Sequence, residues 1–225
     1  SNNWEAFCDG INLKPATTGN LDDAFHNIAA PMCFGGRSWS GTNDAYHDFW
    51  SGYMDQIRWS NGIARYGGIS LRTAQQVVTS SNSDSGVITS NSTFGTGDNF
   101  WASDSDTAIL LTGSGTGFSG TNNDTFTEEG PNTITVTNEG GSAPVLLKQG
   151  WSASGANSYY FAGGTECYLS VASHSSFNSM GYGDYTMECW FKAVDTQDGW
   201  SAILDHRKYN SWDGLGCLSF TDSSH

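Results

Sequence analysis

The chain has 225 residues, and 23 Asp and Glu against 9 Lys and Arg give it a formal net charge of -14. The nine cations are scattered, which argues against nucleic acid or an anionic membrane surface as a partner, because both need a basic stripe. Only 14% of residues are charged, against roughly 25% in ordinary domains, so Ser, Thr, Asn and Gly must build the polar surface while 9 Trp, 12 Phe and 9 Tyr build the core.

Taken in chain order, the first expected element is a strand over Trp4–Cys8, with SNNWEAFCDG already reading as a strand and its turn. Such an opening suggests a fragment of a longer polypeptide. Leu21–Ala30 offers the best case for a short helical turn, with Asp22 and Asp23 as first-turn acids. Strands are expected next over Met32–Gly35 and Gly52–Trp59, where aromatic and β-branched residues are bounded by Gly, Asn, Asp and Ser. From Ser70 to Ser105 the text is rich in Ser, Thr, Asn, Asp and Gly and reads as an interdomain linker. Its Phe94, Phe100 and Trp101 are expected to lie against a neighbouring surface, since a disordered linker rarely carries such side chains.

The second half begins with a strand over Thr107–Leu111, then a long loop from Gly113 to Gly130. Further strands are expected over Thr133–Thr137, Ser158–Phe161, Tyr168–Val171, Tyr185–Ala193, Ala202–Asp205 and Gly216–Thr221. Frequent short strands with Gly-rich turns indicate an all-β fold, an antiparallel β-sandwich. No apolar run reaches the ~18 residues of a membrane-spanning helix.

Alternation within strands assigns faces. In YTMECWFKA, the residues Tyr185, Met187, Cys189, Phe191 and Ala193 share one face, the core side. In GYMDQIRW the set Tyr53, Asp55, Ile57 and Trp59 would share a face, which puts Asp55 among aromatics unless a bulge shifts it. Asp55 then needs a partner, either Arg58 or a backbone turn.

Cys8, Cys33, Cys167, Cys189 and Cys217 are odd in number and widely spaced. They give neither a zinc signature nor a disulfide framework and are expected as free, packed thiols. That fits assembly inside a reducing cell.

Catalytic patterns are sparse. Glycoside hydrolysis needs two carboxylates aimed at one bond, but Glu128 and Glu129 are adjacent in a loop and point apart, while Glu166 and Glu188 are isolated. None of His26, His47, His174, His206 and His225 sits at a helical metal spacing or beside a nucleophilic Cys. GTGDNF and GSGTGFSG are glycine-rich without the Lys and helix of a phosphate loop. The expectation is a protein that is not an enzyme.

One resemblance covers about two thirds of the chain. WSASGANSYYFAGGTECYLSVASHSSFNSMGYGDYTMECWFKA resembles the opening half of a laminin-G-like, concanavalin A-like jelly roll, and SNNWEAFCDG with FGGR and GYMDQIRWSNGIARY resembles the closing half. DTAILLTGSG is similar to the first strand of such domains in tandem-repeat bacteriophage tail-associated and fibre proteins. The resemblance implies that residues 1–68 are the closing half of one jelly roll, 69–105 a linker, and 106–225 the opening half of a second. A circular permutation, in which the halves pair within this chain, is the alternative.

The function that the resemblance implies is a structural and adhesion module of a virion fibre or tail-like appendage, a viral structural protein built as a tandem repeat. Its location would be a virion or extracellular surface, and its partners sister copies, other repeats of the same polypeptide and a cell-surface glycan. A stand-alone carbohydrate-binding, lectin-like domain is the alternative. Fold alone does not choose between them. A sugar site combines an aromatic platform with Asp and Asn groups for the hydroxyls, in some cases around Ca2+. Two loops have that content: Trp39, Asn43, Asp44, Tyr46 and Asp48 in the first, Tyr209, Trp212 and Asp213 in the second. The competing reading of both loops is that their aromatics close the sandwich ends or pack against a neighbouring copy. No motif calls for a cofactor, and the residues leave open whether these loops take Ca2+.

Overall fold

The computed structural model describes residues 7–8, 11–12, 29–38, 46–62, 103–113, 117–141, 143–149, 157–163, 167–178, 185–194, 200–207 and 214–221. Side chains are described for these except 7–8, 11–12, 37–38, 46–47, 178, 200, 207 and 214–221. The strands are β1 (Phe7–Cys8), β2 (Ile11–Asn12), β3 (Met32–Phe34), β4 (Arg37–Ser38), β5 (Tyr46–His47), β6 (Ser51–Asn61), β7 (Thr107–Leu111) and β8 (Thr125–Thr127). Then come β9 (Thr135–Gly140), β10 (Leu146–Lys148), β11 (Ser158–Ala162), β12 (Cys167–Val171), the single helical turn α1 (Ser175–Asn178), β13 (Tyr185–Ala193), β14 (Trp200–Arg207) and β15 (Gly214–Thr221).

The fold is all-β and antiparallel. A six-stranded sheet runs β15-β14-β3-β12-β9-β8, and a five-stranded sheet runs β10-β11-β6-β13 with β7 also paired to β6. One apolar cluster joins them, with Met32, Phe34, Phe126, Val136, Leu169, Val171 and Leu204 from the first sheet and Met54, Ile57, Trp59, Ile109, Leu111, Tyr159 and Phe161 from the second. This is consistent with a β-sandwich, and each large side chain buried there contributes about 1.5–3 kcal/mol.

β6 organises its sheet. One edge pairs with β13 along nearly its whole length, while the other pairs with β11 over Ser51–Met54 and with β7 over Ile57–Ser60. In the six-stranded sheet β3 likewise lies between β12 and β14. Strands from residues 32–61 therefore sit in the middle of sheets whose other strands come from 107–221. The Asn61 N–H donates to the Asp106 carbonyl at 2.9 Å, so the chain positions on either side of the intervening segment lie together.

A β-bulge decides which side chains of β6 face the core. Between the pairs Glu188–Arg58 and Trp190–Asp55 the register slips, with Gln56 at φ 50°. Before the slip Met54 points inward; after it Ile57 and Trp59 do. Tyr53 and Asp55 are thus on the opposite face from Ile57 and Trp59, and the shared face expected for those four residues does not exist. Asp55 is fully buried and its Oδ1 accepts the N–H groups of Gln56 at 2.8 Å and Gly113 at 3.2 Å. A backbone turn, one of its two expected partners, thus holds Asp55.

Other backbone polar groups are satisfied by side chains. The outer edge of β7 is capped: the Leu110 N–H donates to Glu128 Oε2 at 3.0 Å, the Leu110 carbonyl accepts from Glu129 N–H at 2.9 Å, and Asn132 Nδ2 donates to the Thr107 and Ala108 carbonyls. That edge is closed to further pairing. Asn138, fully buried on β9, donates through Nδ2 to the Thr121 and Val145 carbonyls and accepts from Val145 N–H at 2.9 Å. Gly35, at φ 76°, lies so close to the Phe161 ring that a Cβ there would overlap it, and this contact sets the approach of the two sheets.

A strand lies within each of the ten expected stretches, several running longer than expected; residues 4–6 of the first lie outside the described residues, and Gly35, Thr133 and Ile134 fall outside their strands. The long loop over 113–130 contains a strand, β8, because Phe126 reaches the core beside Val136. Residues 21–28 of the expected helix lie outside the described residues, and Ala29 and Ala30 are not helical. Residues 63–102, which hold most of the expected linker, also lie outside.

Candidate binding face

The face of the five-stranded sheet turned away from the core carries a row of side chains set by pairing alone. Leu146 of β10 is opposite Tyr160 of β11, Tyr160 is opposite Tyr53 of β6, and Tyr53 is opposite Lys192 of β13. Directly paired residues share a face, so these four form one line across four strands. At ~4.8 Å per strand spacing the line is roughly 14 Å long.

The two tyrosines meet with ring centroids 4.9 Å apart and planes inclined at 49°, within the range favoured by aromatic pairs. Lys148, two residues along β10 from Leu146, places Nζ 3.5 Å from the Tyr160 ring centroid, a cation–π contact. Tyr53, Tyr160 and Lys148 are half-buried, while Lys192 is exposed. Neither lysine has an acidic partner among the described residues. Trp190, on the same face as Lys192, borders the row and is opposite Asp55.

Farther along the same face the environment changes. Arg58 and Glu188 form a hydrogen-bonded ion pair through Nε and Nη2, with side chains 6% and 10% exposed. Glu188, isolated in the sequence, is therefore an ion-pair partner. With Leu110 opposite Arg58 and 3% exposed, this end is closed, and the tyrosine end is the accessible one.

Among the described residues, the two carboxylates on this surface are both engaged, Glu188 by Arg58 and Asp55 by backbone N–H groups. Glu128 and Glu129 do diverge: Glu128 is buried, Glu129 exposed. Burial pushes the Glu128 carboxyl up, while the N–H groups of Leu110, Gly130 and Ile134 pull it back. Among the described residues no group of three His, Cys, Asp or Glu side chains is placed to hold a metal ion. The Asp124 carboxylate is taken by the N–H groups of Ser119 and Gly120. Cys33, Cys167 and Cys189 are thiols rather than disulfide partners, and burial pushes the Cys167 thiol up. No helix among the described residues is long and apolar enough to cross a membrane.

Most of the residues expected to bind sugar lie elsewhere in the chain. Trp39, Asn43 and Asp44, and Tyr209, Trp212 and Asp213, lie outside the described residues, and for Tyr46 only the backbone, in β5, is described. Asp48 is half-buried at φ 57°, with its carbonyl accepting the Ala202 N–H at 2.8 Å. It ties the chain to β14 just before β6 begins. Sequence reasoning missed Tyr53, Tyr160, Lys148 and Lys192 as a set, because their proximity depends on which strands pair.

No family model, curated protein or solved structure matches the chain.

Proposed function

We propose that this protein is a non-enzymatic adhesion and structural module, a jelly-roll unit of a virion fibre or tail-like surface appendage, that attaches to surface glycans. The observation that carries the glycan part is the Tyr53–Tyr160 pair with its flanking lysines, half-open on a sheet face. Aromatic rings offer the apolar faces of sugar rings a stacking partner, and adjacent polar groups fix orientation. A rigid sheet holds such a platform in place without ordering cost at binding.

The pairing of β6 with β11 and β13 of the same chain supports a unit that closes upon itself. In this reading the segments resembling halves of neighbouring jelly rolls complete one another, and repetition of the unit along a fibre gives sister copies and adjoining repeats as structural partners. That pairing also favours the lectin-like alternative, in which the chain acts as a stand-alone carbohydrate-binding domain.

The test is binding of the monodisperse chain to a glycan panel, compared with Tyr160→Leu and Tyr53→Leu. Saturable binding lost in both variants supports adhesion through this face. Wild-type binding by both variants moves the site elsewhere, and no binding to any glycan leaves only the structural role.

A further inference from the structure

Resting on the glycan reading, we infer that the ligand of the tyrosine row is an anionic glycan whose carboxylates are met by Lys148 and Lys192. Acids outnumber bases 23 to 9 in this chain, so a lysine could readily have been matched by a neighbouring carboxylate. Arg58, on the same face, is matched in that way by Glu188. Lys148 and Lys192 have no such partner among the described residues, although both acids nearest in the sheet, Asp55 and Glu188, lie on their face. Those two carboxylates are already engaged by backbone N–H groups and by Arg58.

The placement of the lysines suits a sugar acid better than a neutral sugar. They lie on opposite sides of the tyrosine pair, Lys192 on β13 and Lys148 on β10, with Tyr53 and Tyr160 on the two strands between. A short run of linked rings lying across the strands would stack on Tyr53 and bring ring carboxylates to the ammonium over Tyr160 at one end and to Lys192 at the other. Lys148 is held above the Tyr160 ring by the cation–π contact, so its charge is positioned before a ligand arrives. The acidic remainder of the molecule opposes a polyanion weakly, because charges beyond ~8 Å are screened at physiological ionic strength.

The experiment uses the full chain on a panel of uronate- and sialate-bearing glycans, each paired with its carboxyl-esterified form, together with poly-glutamate as a carboxylate polymer without sugar rings. The expected result is binding of at least one acidic glycan roughly tenfold tighter than its ester, as two exposed ion pairs would give. That preference should fall as salt rises and disappear in Lys148→Gln/Lys192→Gln, whose thermal unfolding should match that of the parent. Equal affinity for acid and ester overturns the inference and leaves the glycan reading standing. Equal retention by poly-glutamate overturns it in favour of a general polyanion surface. Absence of binding to every glycan, acidic or esterified, removes the glycan reading and this inference together.

Discussion

Acidification should unfold this protein through one buried histidine. His206 on β14 is fully buried, between Trp59 at 6.0 Å and Phe177 at 5.4 Å between centroids, both edge-on. Burial lowers its pKa from 6.5 to about 4, with the Ala30 backbone pulling weakly the other way. Neither ring nitrogen makes a well-formed hydrogen bond, so the Ala30 backbone does not offset the cost of placing a charge there. In the unfolded chain the same imidazole binds a proton near pH 6.5, and between that pH and about 4 the unfolded state holds the extra proton. Stability is thus complete above pH 6.5 and falls as pH is lowered, at up to ~1.4 kcal/mol per pH unit. Across the whole window the loss is about 3 kcal/mol, a large part of a typical ~5–15 kcal/mol stability.

Urea unfolding from pH 7.5 to 4 measures it, on the parent and on His206→Leu. Leucine fills a similar space among Trp59 and Phe177 and carries no proton. The variant should match or exceed the parent at pH 7 and lose about 3 kcal/mol less on acidification. Parallel pH profiles for the two proteins would refute the reasoning. Glu128 cannot mimic the effect: its carboxyl is pushed up by burial, so lowering the pH through its range favours the folded state.

Other substitutions probe the polar groups inside the fold. Arg58→Met leaves Glu188 buried without its guanidinium and should cost about 3–5 kcal/mol, whereas Arg58→Met with Glu188→Leu should recover most of that; a double-mutant cycle by urea unfolding gives the coupling. Asn138→Leu removes the three side-chain bonds to Thr121 and Val145 and should cost at least ~2–3 kcal/mol, read as a fall in the denaturation midpoint at unchanged slope. Glu128→Ala strips the acceptor from the N–H groups of Leu110 and Gly130 and should cost about 1–3 kcal/mol, with faster hydrogen exchange at Leu110.

The strands could be read from the sequence because aromatic and β-branched clusters between Gly, Asn and Ser have little alternative to an extended backbone. YTMECWFKA kept its period throughout, so Met187, Cys189 and Phe191 do pack on the core. In β6 the period failed at Gln56, where a non-glycine residue in the left-handed region inserts one position and turns Tyr53 and Asp55 away from Ile57 and Trp59. No residue type in GYMDQIRW announces that slip. The short strands β8 and β10 were hidden for another reason: three residues carry too little alternation to outweigh the polar text around them. The tyrosine row was invisible because Tyr53 and Tyr160 meet only through the pairing of β6 with β11, which packing decides and local sequence does not. Asp48, the one expected sugar-binding residue with a described side chain, serves at least through its backbone to tie β14 to the start of β6.

The most direct measurement of the proposed role is titration calorimetry of the monodisperse chain with the best-retained glycan, for the parent and for Tyr53→Leu/Tyr160→Leu. A saturable isotherm in the parent that vanishes in the variant, with unfolding temperatures alike, is the predicted result. An isotherm unchanged by loss of both rings would contradict the assignment of this face as the binding site.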